Sequence, residues 1–163
     1  MVRISLLSDT HAYMDDQILS YCRDSDEIWH AGDIGSGQVT DQLAQLAPVR
    51  AVYGNIDGSE LRAQFPLDQR FELEGLRVWM THIGGYPGRY APRVKKVIYK
   101  DQPGLFISGH SHILKVMPDK KLGLLHMNPG AIGKQGFHKL RTLLRFQISS
   151  GRIHDLEVVE IKR

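Results

Sequence analysis

Short apolar runs that break off on a polar residue set the rhythm of the chain. Val2 to Ser8 shows little polar alternation and stops at Asp9, the pattern of a strand buried in a parallel or mixed sheet. Ala12 to Arg23 then spaces Tyr13, Ile18, Leu19 and Cys22 as a helix would, and Glu27 to Ala31 returns to strand character before Gly32-Asp33. The β-α-β unit recurs in kind. Gln38 to Leu46 puts Val39, Leu43 and Leu46 on one helical face, and Pro48 to Tyr53 is a strand running into Gly54-Asn55.

Beyond Asn55 the texture changes. Phe71 to Leu73 and Leu76 to Thr81 read as a hairpin around Glu74-Gly75 that ends at His82. Ala91 to Asp101 reads as a helix with Pro92 in its first turn, and Leu105 to Ser108 as an apolar strand ending at Gly109-His110. The runs Ile113 to Met117, Leu122 to Met127, Leu140 to Ile148 and Ile153 to Ile161 alternate like antiparallel strands. No internal repeat, low-complexity stretch or linker interrupts them. The expected class is α/β: two mixed β-sheets facing each other with helices outside, a four-layer α-β-β-α sandwich.

Composition narrows the picture. A length of 163 residues suits one domain spanning 1–163, and 42% hydrophobic with 24% charged residues lies near the globular average. The net charge of +3 is spread thinly apart from Arg89, Arg93, Lys95, Lys96 and Lys100, a cluster that reads first as a solvated helix face. Such a balance suits an anionic small molecule and does not call for nucleic acid, for which interleaved aromatics and a recognisable motif are missing. One cysteine, Cys22, leaves no intrachain disulfide and no thiolate-rich metal site. The N-terminal run lacks a basic flank and a cleavage site, and no run nears the roughly 18 apolar residues of a membrane span. A cytoplasmic location without membrane contact is the expectation.

The residues that follow the strands carry the chemistry. In order they are Asp9-Thr10-His11, Gly32-Asp33, Gly54-Asn55-Ile56-Asp57, Thr81-His82 and Gly109-His110-Ser111-His112. Ligands of open α/β sheets gather at the carboxyl ends of strands. The set offers oxygen and nitrogen donors only, which suits manganese, iron or zinc better than magnesium. Two donors separated by one residue can turn towards one ion once a strand gives way to a loop. The glycines at 32, 54 and 109 permit tight turns or close backbone approach beside a ligand. Taken singly, each residue has a blander reading: Asp9 as a helix cap, Asp33 and Asn55 as turn residues, His82 as a hydrogen-bonded structural histidine. His30, His126, His138 and His154 have no partner at ligand spacing, and Asp57 reads as a residue that orders the loop behind Asn55.

The order D-x-H, G-D, G-N-x-D, H, G-H-x-H resembles the calcineurin-like metallophosphoesterases, in particular their small single-domain bacterial and archaeal phosphodiesterases. The resemblance runs from Val2 to about Gly130. It implies a β-sandwich flanked by helices that holds two divalent metal ions, manganese first, with zinc, iron or nickel as alternatives. Asp9, His11, Asp33 and His112 would hold one ion, and Asp33, Asn55, His82 and His110 the other, with Asp33 as the bridge. Two ions about 3.5–4 Å apart activate a bridging hydroxide for in-line hydrolysis and stabilise the charge that develops. No covalent phospho-enzyme is then required. Asp33, Asn55 and His82 would be the catalytic residues, Asn55 would contact the substrate, and a small phosphoester, a nucleotide among the candidates, would be the partner.

The chain departs from the pattern at three places. Ile56 stands where many relatives carry a histidine that contacts the phosphate or protonates the leaving oxygen. General acid catalysis contributes about 10²–10⁴-fold, so aryl diesters should be cleaved better than alkyl monoesters. His82-Ile83-Gly84-Gly85 replaces a His-Gly-His, which leaves Tyr86, Arg89 or Tyr90 to supply a substrate contact, Arg89 first because guanidinium pairs with phosphate oxygens. Ala131 follows Asn128-Pro129-Gly130 where a serine is usual. The competing reading is a protein-binding scaffold, because the metallophosphoesterase-like subunit of retromer shares the fold and also lacks the histidine replaced by Ile56. The complete set of seven ligand positions favours the enzyme.

Overall fold

The computed structural model describes residues 1–163. Its elements in chain order are β1 (Val2–Leu7), α1 (Asp16–Cys22), β2 (Glu27–His30), α2 (Gly37–Ala44), β3 (Val49–Ala51), α3 (Ser59–Gln64), β4 (Asp68–Leu73), β5 (Leu76–Thr81), the short β6 (Gly85–Tyr86) and β7 (Arg89–Tyr90), α4 (Pro92–Lys95), α5 (Ile98–Asp101), β8 (Leu105–Ile107), β9 (Leu114–Asp119), β10 (Leu124–Pro129), β11 (Leu140–Ser149) and β12 (Arg152–Lys162). One five-stranded sheet has the order β12-β11-β1-β2-β3 and the other β4-β5-β8-β10-β9. Both are mixed. β1, β2 and β3 run parallel, as do β5, β8 and β10, while β11, β12, β4 and β9 pair antiparallel to their neighbours.

Strand alternation sorts the side chains into three cores. Ile4, Leu6 and Trp29 of the first sheet meet Val78, Met80, Leu105, Ile107 and Met127 of the second across the sandwich. The opposite parity sends Leu7 and Ile28 outward against Ile18 and Cys22 of α1 and Val39 and Leu43 of α2. Trp79 and Phe106 point out of the second sheet, against Val94 and Ile98 of α4 and α5. The result is the expected four-layer α-β-β-α sandwich. No helix is long and apolar enough to cross a membrane.

Several expected boundaries shift for local reasons. The helix expected over Ala12 to Arg23 begins only at Asp16, because His11 and Ala12 sit at positive φ and Asp15 caps the helix through its carboxylate and the Ile18 N–H. The helix expected over Ala91 to Asp101 is two short turns, split where Val97 leaves helical geometry (φ −124°, ψ −15°). The helix Ser59–Gln64 and the β6–β7 hairpin fall where no periodicity marked them. Asn128 and Pro129 end β10, and the chain turns at Gly130 (φ 74°). His138 lies in the loop before β11, outside the strands.

Candidate metal centre

Parallel pairing decides where the polar ends go. The carboxyl ends of β1, β2 and β3 in one sheet, and of β5 and β8 in the other, open onto the same edge of the sandwich, so the five motifs converge there. Two groups form. Ligand atoms of Asp9, His11 and His112 lie within 4.8 Å of one another, and so do those of Asp33, His82 and His110. Asn55 joins the second group, its Oδ1 3.0 Å from His110 Nδ1. All seven candidate ligands are thus brought to one place.

Each carboxylate has one oxygen anchored and one free. Asp9 Oδ2 accepts from the Ser8 hydroxyl at 2.6 Å and the His110 N–H at 3.2 Å. Its Oδ1 then faces His112 Nε2 at 3.2 Å, His11 Nε2 at 3.8 Å and His82 Nε2 at 3.9 Å. Asp33 Oδ1 accepts from the Ile56 N–H at 3.1 Å, and its Oδ2 faces His82 Nε2 at 3.2 Å and His11 Nε2 at 3.4 Å. His82 is aimed by its Nδ1–H, which donates to the Ala31 carbonyl at 2.7 Å. Asp33 therefore stands between one histidine from each group.

Despite this proximity, Asp9 Oδ1, His11 Nε2 and His82 Nε2 are buried and make no hydrogen bond. A buried polar atom without a partner costs about 1–3 kcal/mol, and three orphans converging on one space fit a cation as the missing partner. The electrostatics agree. Burial raises the Asp9 carboxyl, but the His11 and His112 imidazoles outweigh it and hold it below the ordinary carboxylate range. At Asp33 burial is likewise outweighed, chiefly by His82. His11 is pushed up above all by Asp9, and His82 is pushed up because Asp33 and Asp9 overcome its burial. The two carboxylates draw positive charge into the gap between them.

The backbone carries a further sign. Asp9, His11, Asp33, His110 and His112 all adopt positive φ, between 46° and 73°. Non-glycine residues rarely enter this region, and such strain, of order 1–3 kcal/mol each, collects at functional sites. Here it turns the side chains back over the strand ends. The glycines make room: a Cβ at Gly32 would lie 2.6 Å from His82 Nδ1, and one at Gly54 would overlap the Asp33 carboxylate and backbone nitrogen.

Two supporting residues, His30 and His138, escaped the sequence reading, and a third, Asp57, did not. His30, fully buried, accepts the Gly32 N–H at Nδ1 (3.1 Å), so its Nε2–H donates to Thr10 Oγ1 (3.0 Å), whose hydroxyl donates to the Ile34 carbonyl (2.8 Å). The network ties the Asp9 turn to the Asp33 turn. Asp57 accepts the N–H groups of Gly54, Ile34 and Gly35 at 2.7, 3.1 and 2.8 Å, ordering the loop as expected. His138 packs edge-on against His112, centroids 5.5 Å apart, and its Nε2–H donates to the Gly133 carbonyl. A histidine in an apolar strand just before Gly-Asp was the only signal for the first, and nothing local marked His138. Arg89, on the β6–β7 hairpin, lines a cleft beside His110, and the Ile56 and Ile83 side chains are 46% and 44% exposed, too open to be core residues.

Comparison with known proteins places the chain in a family. The profile of the calcineurin-like phosphoesterase superfamily domain matches residues 2–151. A probable metallophosphoesterase of Mycoplasma pneumoniae is 34% identical over 170 residues, taking in 96% of each chain. Among solved structures, Vps29 of Entamoeba histolytica complexed with Zn²⁺ superposes with a TM-score of 0.74 at 16% identity and covers 98% of both chains. An archaeal phosphodiesterase gives 0.69 at 19% identity, over 98% of this chain and 99% of its own. At these identities the two structures show a shared fold.

Proposed function

The chain belongs to the calcineurin-like phosphoesterase superfamily, and from that premise we propose that it is a metal-dependent phosphodiesterase acting on a small phosphoester, by in-line attack of water with no covalent phospho-enzyme. The observation that carries the reading is the pair of carboxylates, each with one oxygen anchored and the other turned, with unpartnered imidazole nitrogens, into a common space. Asp9, His11, Asp33 and His112 would hold one divalent cation, and Asp33, Asn55, His82 and His110 the second. Two such cations supply Lewis acidity, lowering the pKa of a water molecule and neutralising charge on phosphoryl oxygens. The donor set of oxygen and nitrogen favours manganese, with zinc, iron or nickel as alternatives.

The chain's own groups do the positioning. Asp33 is held between the two groups by the Ile56 N–H, and His82 by the Ala31 carbonyl. Asn55 is exposed at the mouth of the site, where its amide can donate to a phosphate oxygen, and Arg89 offers a guanidinium from the neighbouring hairpin. Ile56 and Ile83 offer no proton to a leaving oxygen, so among diesters the rate should rise as the leaving group improves. The likeness to Vps29 extends to the fold alone.

The test is hydrolysis of bis(4-nitrophenyl) phosphate and 4-nitrophenyl phosphate by metal-stripped protein, then with manganese, zinc or magnesium restored, with Asp33→Asn alongside. Metal-dependent cleavage, faster on the diester and lost in the variant, is expected. Metal binding without turnover of either ester would favour the scaffold instead.

A further inference from the structure

Two clefts flank Ile83 and open onto the metal centre, and they differ in one respect. The first, of about 500 Å³, touches Asn55 and His82 and is lined by Arg62 and Arg93. Both guanidiniums are already engaged: Arg62 donates to the Asp57 and Asn55 carbonyls, and Arg93 to the Asp68 carboxylate and the Thr81 hydroxyl. The second, of about 220 Å³, touches His110 and Ser111 and is lined by Tyr86, Arg89, Lys115 and His126. Neither Arg89 nor Lys115 forms an ion pair, and no Asp or Glu lines this cleft. Lys115 Nζ sits 3.7 Å above the Tyr86 ring, which holds it over the opening.

His126 adds a second and independent sign. The side chain is 1% exposed, and its Nδ1–H must donate to the Phe106 carbonyl at 3.1 Å, since a carbonyl can only accept. Nε2 is thereby fixed as a lone-pair acceptor, and it is buried without a partner. An acceptor beside two free cations calls for a ligand that brings a hydroxyl together with negative charge. Resting on the reading of the site as a phosphodiesterase, we propose that this cleft is a second anion subsite. It receives a non-scissile phosphate on the substrate's substituent, with Lys115 on its oxygens, Arg89 left to the scissile phosphate, and His126 Nε2 accepting a sugar hydroxyl. The substrate class is then a phosphodiester that carries a further phosphate one sugar away, as in a short nucleotide chain.

Equilibrium binding separates this inference from the reading beneath it. Uridine 3′,5′-bisphosphate and uridine 5′-phosphate, both of which keep a free 2′-hydroxyl, are titrated calorimetrically into the manganese-loaded protein and its Lys115→Gln and Lys115→Arg variants. The bisphosphate should bind the parent protein about tenfold more tightly than the monophosphate. That advantage should vanish in Lys115→Gln, persist in Lys115→Arg, and shrink as salt is raised. Equal binding of the two nucleotides, binding of neither, or an advantage that survives Lys115→Gln would overturn the subsite. Hydrolysis of bis(4-nitrophenyl) phosphate, which carries no second phosphate, stands or fails separately and reports on the catalytic reading alone.

Discussion

Replacing His30 by Phe probes the network beneath the centre, because the flat apolar ring keeps the site filled while removing both ring nitrogens. The Gly32 N–H loses its acceptor at 3.1 Å, and the Thr10 hydroxyl loses the donor at 3.0 Å. An orphaned buried N–H costs about 1–3 kcal/mol, and the lost bond to Thr10 about 1 kcal/mol more. The apolar ring recovers some of this by burial, so a net loss of about 2–3 kcal/mol follows. For a chain of this length that lowers Tm by roughly 5–10 °C. Thr10 lies between Asp9 and His11, and Gly32 precedes Asp33, so metal affinity should also fall by about 10-fold. Urea denaturation of the metal-stripped protein and calorimetric metal titration read the two effects. His30→Gln, which can both donate and accept, should recover part of each. An unchanged midpoint together with unchanged metal affinity in His30→Phe would refute the argument.

Two further outcomes follow from particular residues. Burial lowers the His126 pKa from 6.5 to about 4, so the unfolded chain takes up this proton first. Stability conferred by the neutral ring is therefore intact above pH 6.5 and is lost as pH falls towards 4, by up to about 1.4 kcal/mol per pH unit and about 3 kcal/mol in total. Denaturation of His126→Phe across that window should show a shallower fall than the parent, and parallel curves would count against the assignment. Gly54→Ala forces a methyl group into the Asp33 carboxylate and should destabilise by about 1–3 kcal/mol and abolish metal binding, whereas Gly58→Ala, with nothing within 4 Å of the new methyl, should do neither. Thermal melts with and without manganese distinguish the pair.

The layers were legible in the sequence because strand parity is a local property. Ile4 and Leu6 alternate with Ser5 and Leu7, and the same period in Leu76 to Thr81 and Leu105 to Ser108 sorts each strand between two cores. The candidate ligands were legible because they follow apolar runs at once, and the resemblance joined five short motifs that no local rule connects. What stayed hidden depends on distant partners. The positive φ at Asp9 and His110 and the anchoring of Asp9 Oδ2 by the His110 N–H arise only once β1 and β8, one from each sheet, face each other across the sandwich. The break at Val97 and the turn of Ser59–Gln64 are set by packing of short segments, where periodicity has too few residues to register.

Seven side chains at the strand ends are proposed to hold two divalent cations. Metal content of the purified, manganese-equilibrated protein, counted per chain by elemental analysis beside His112→Ala and His82→Ala, tests it most directly. Two ions in the parent protein and one in each variant are predicted. No bound metal, or two ions retained in both variants, would contradict the account.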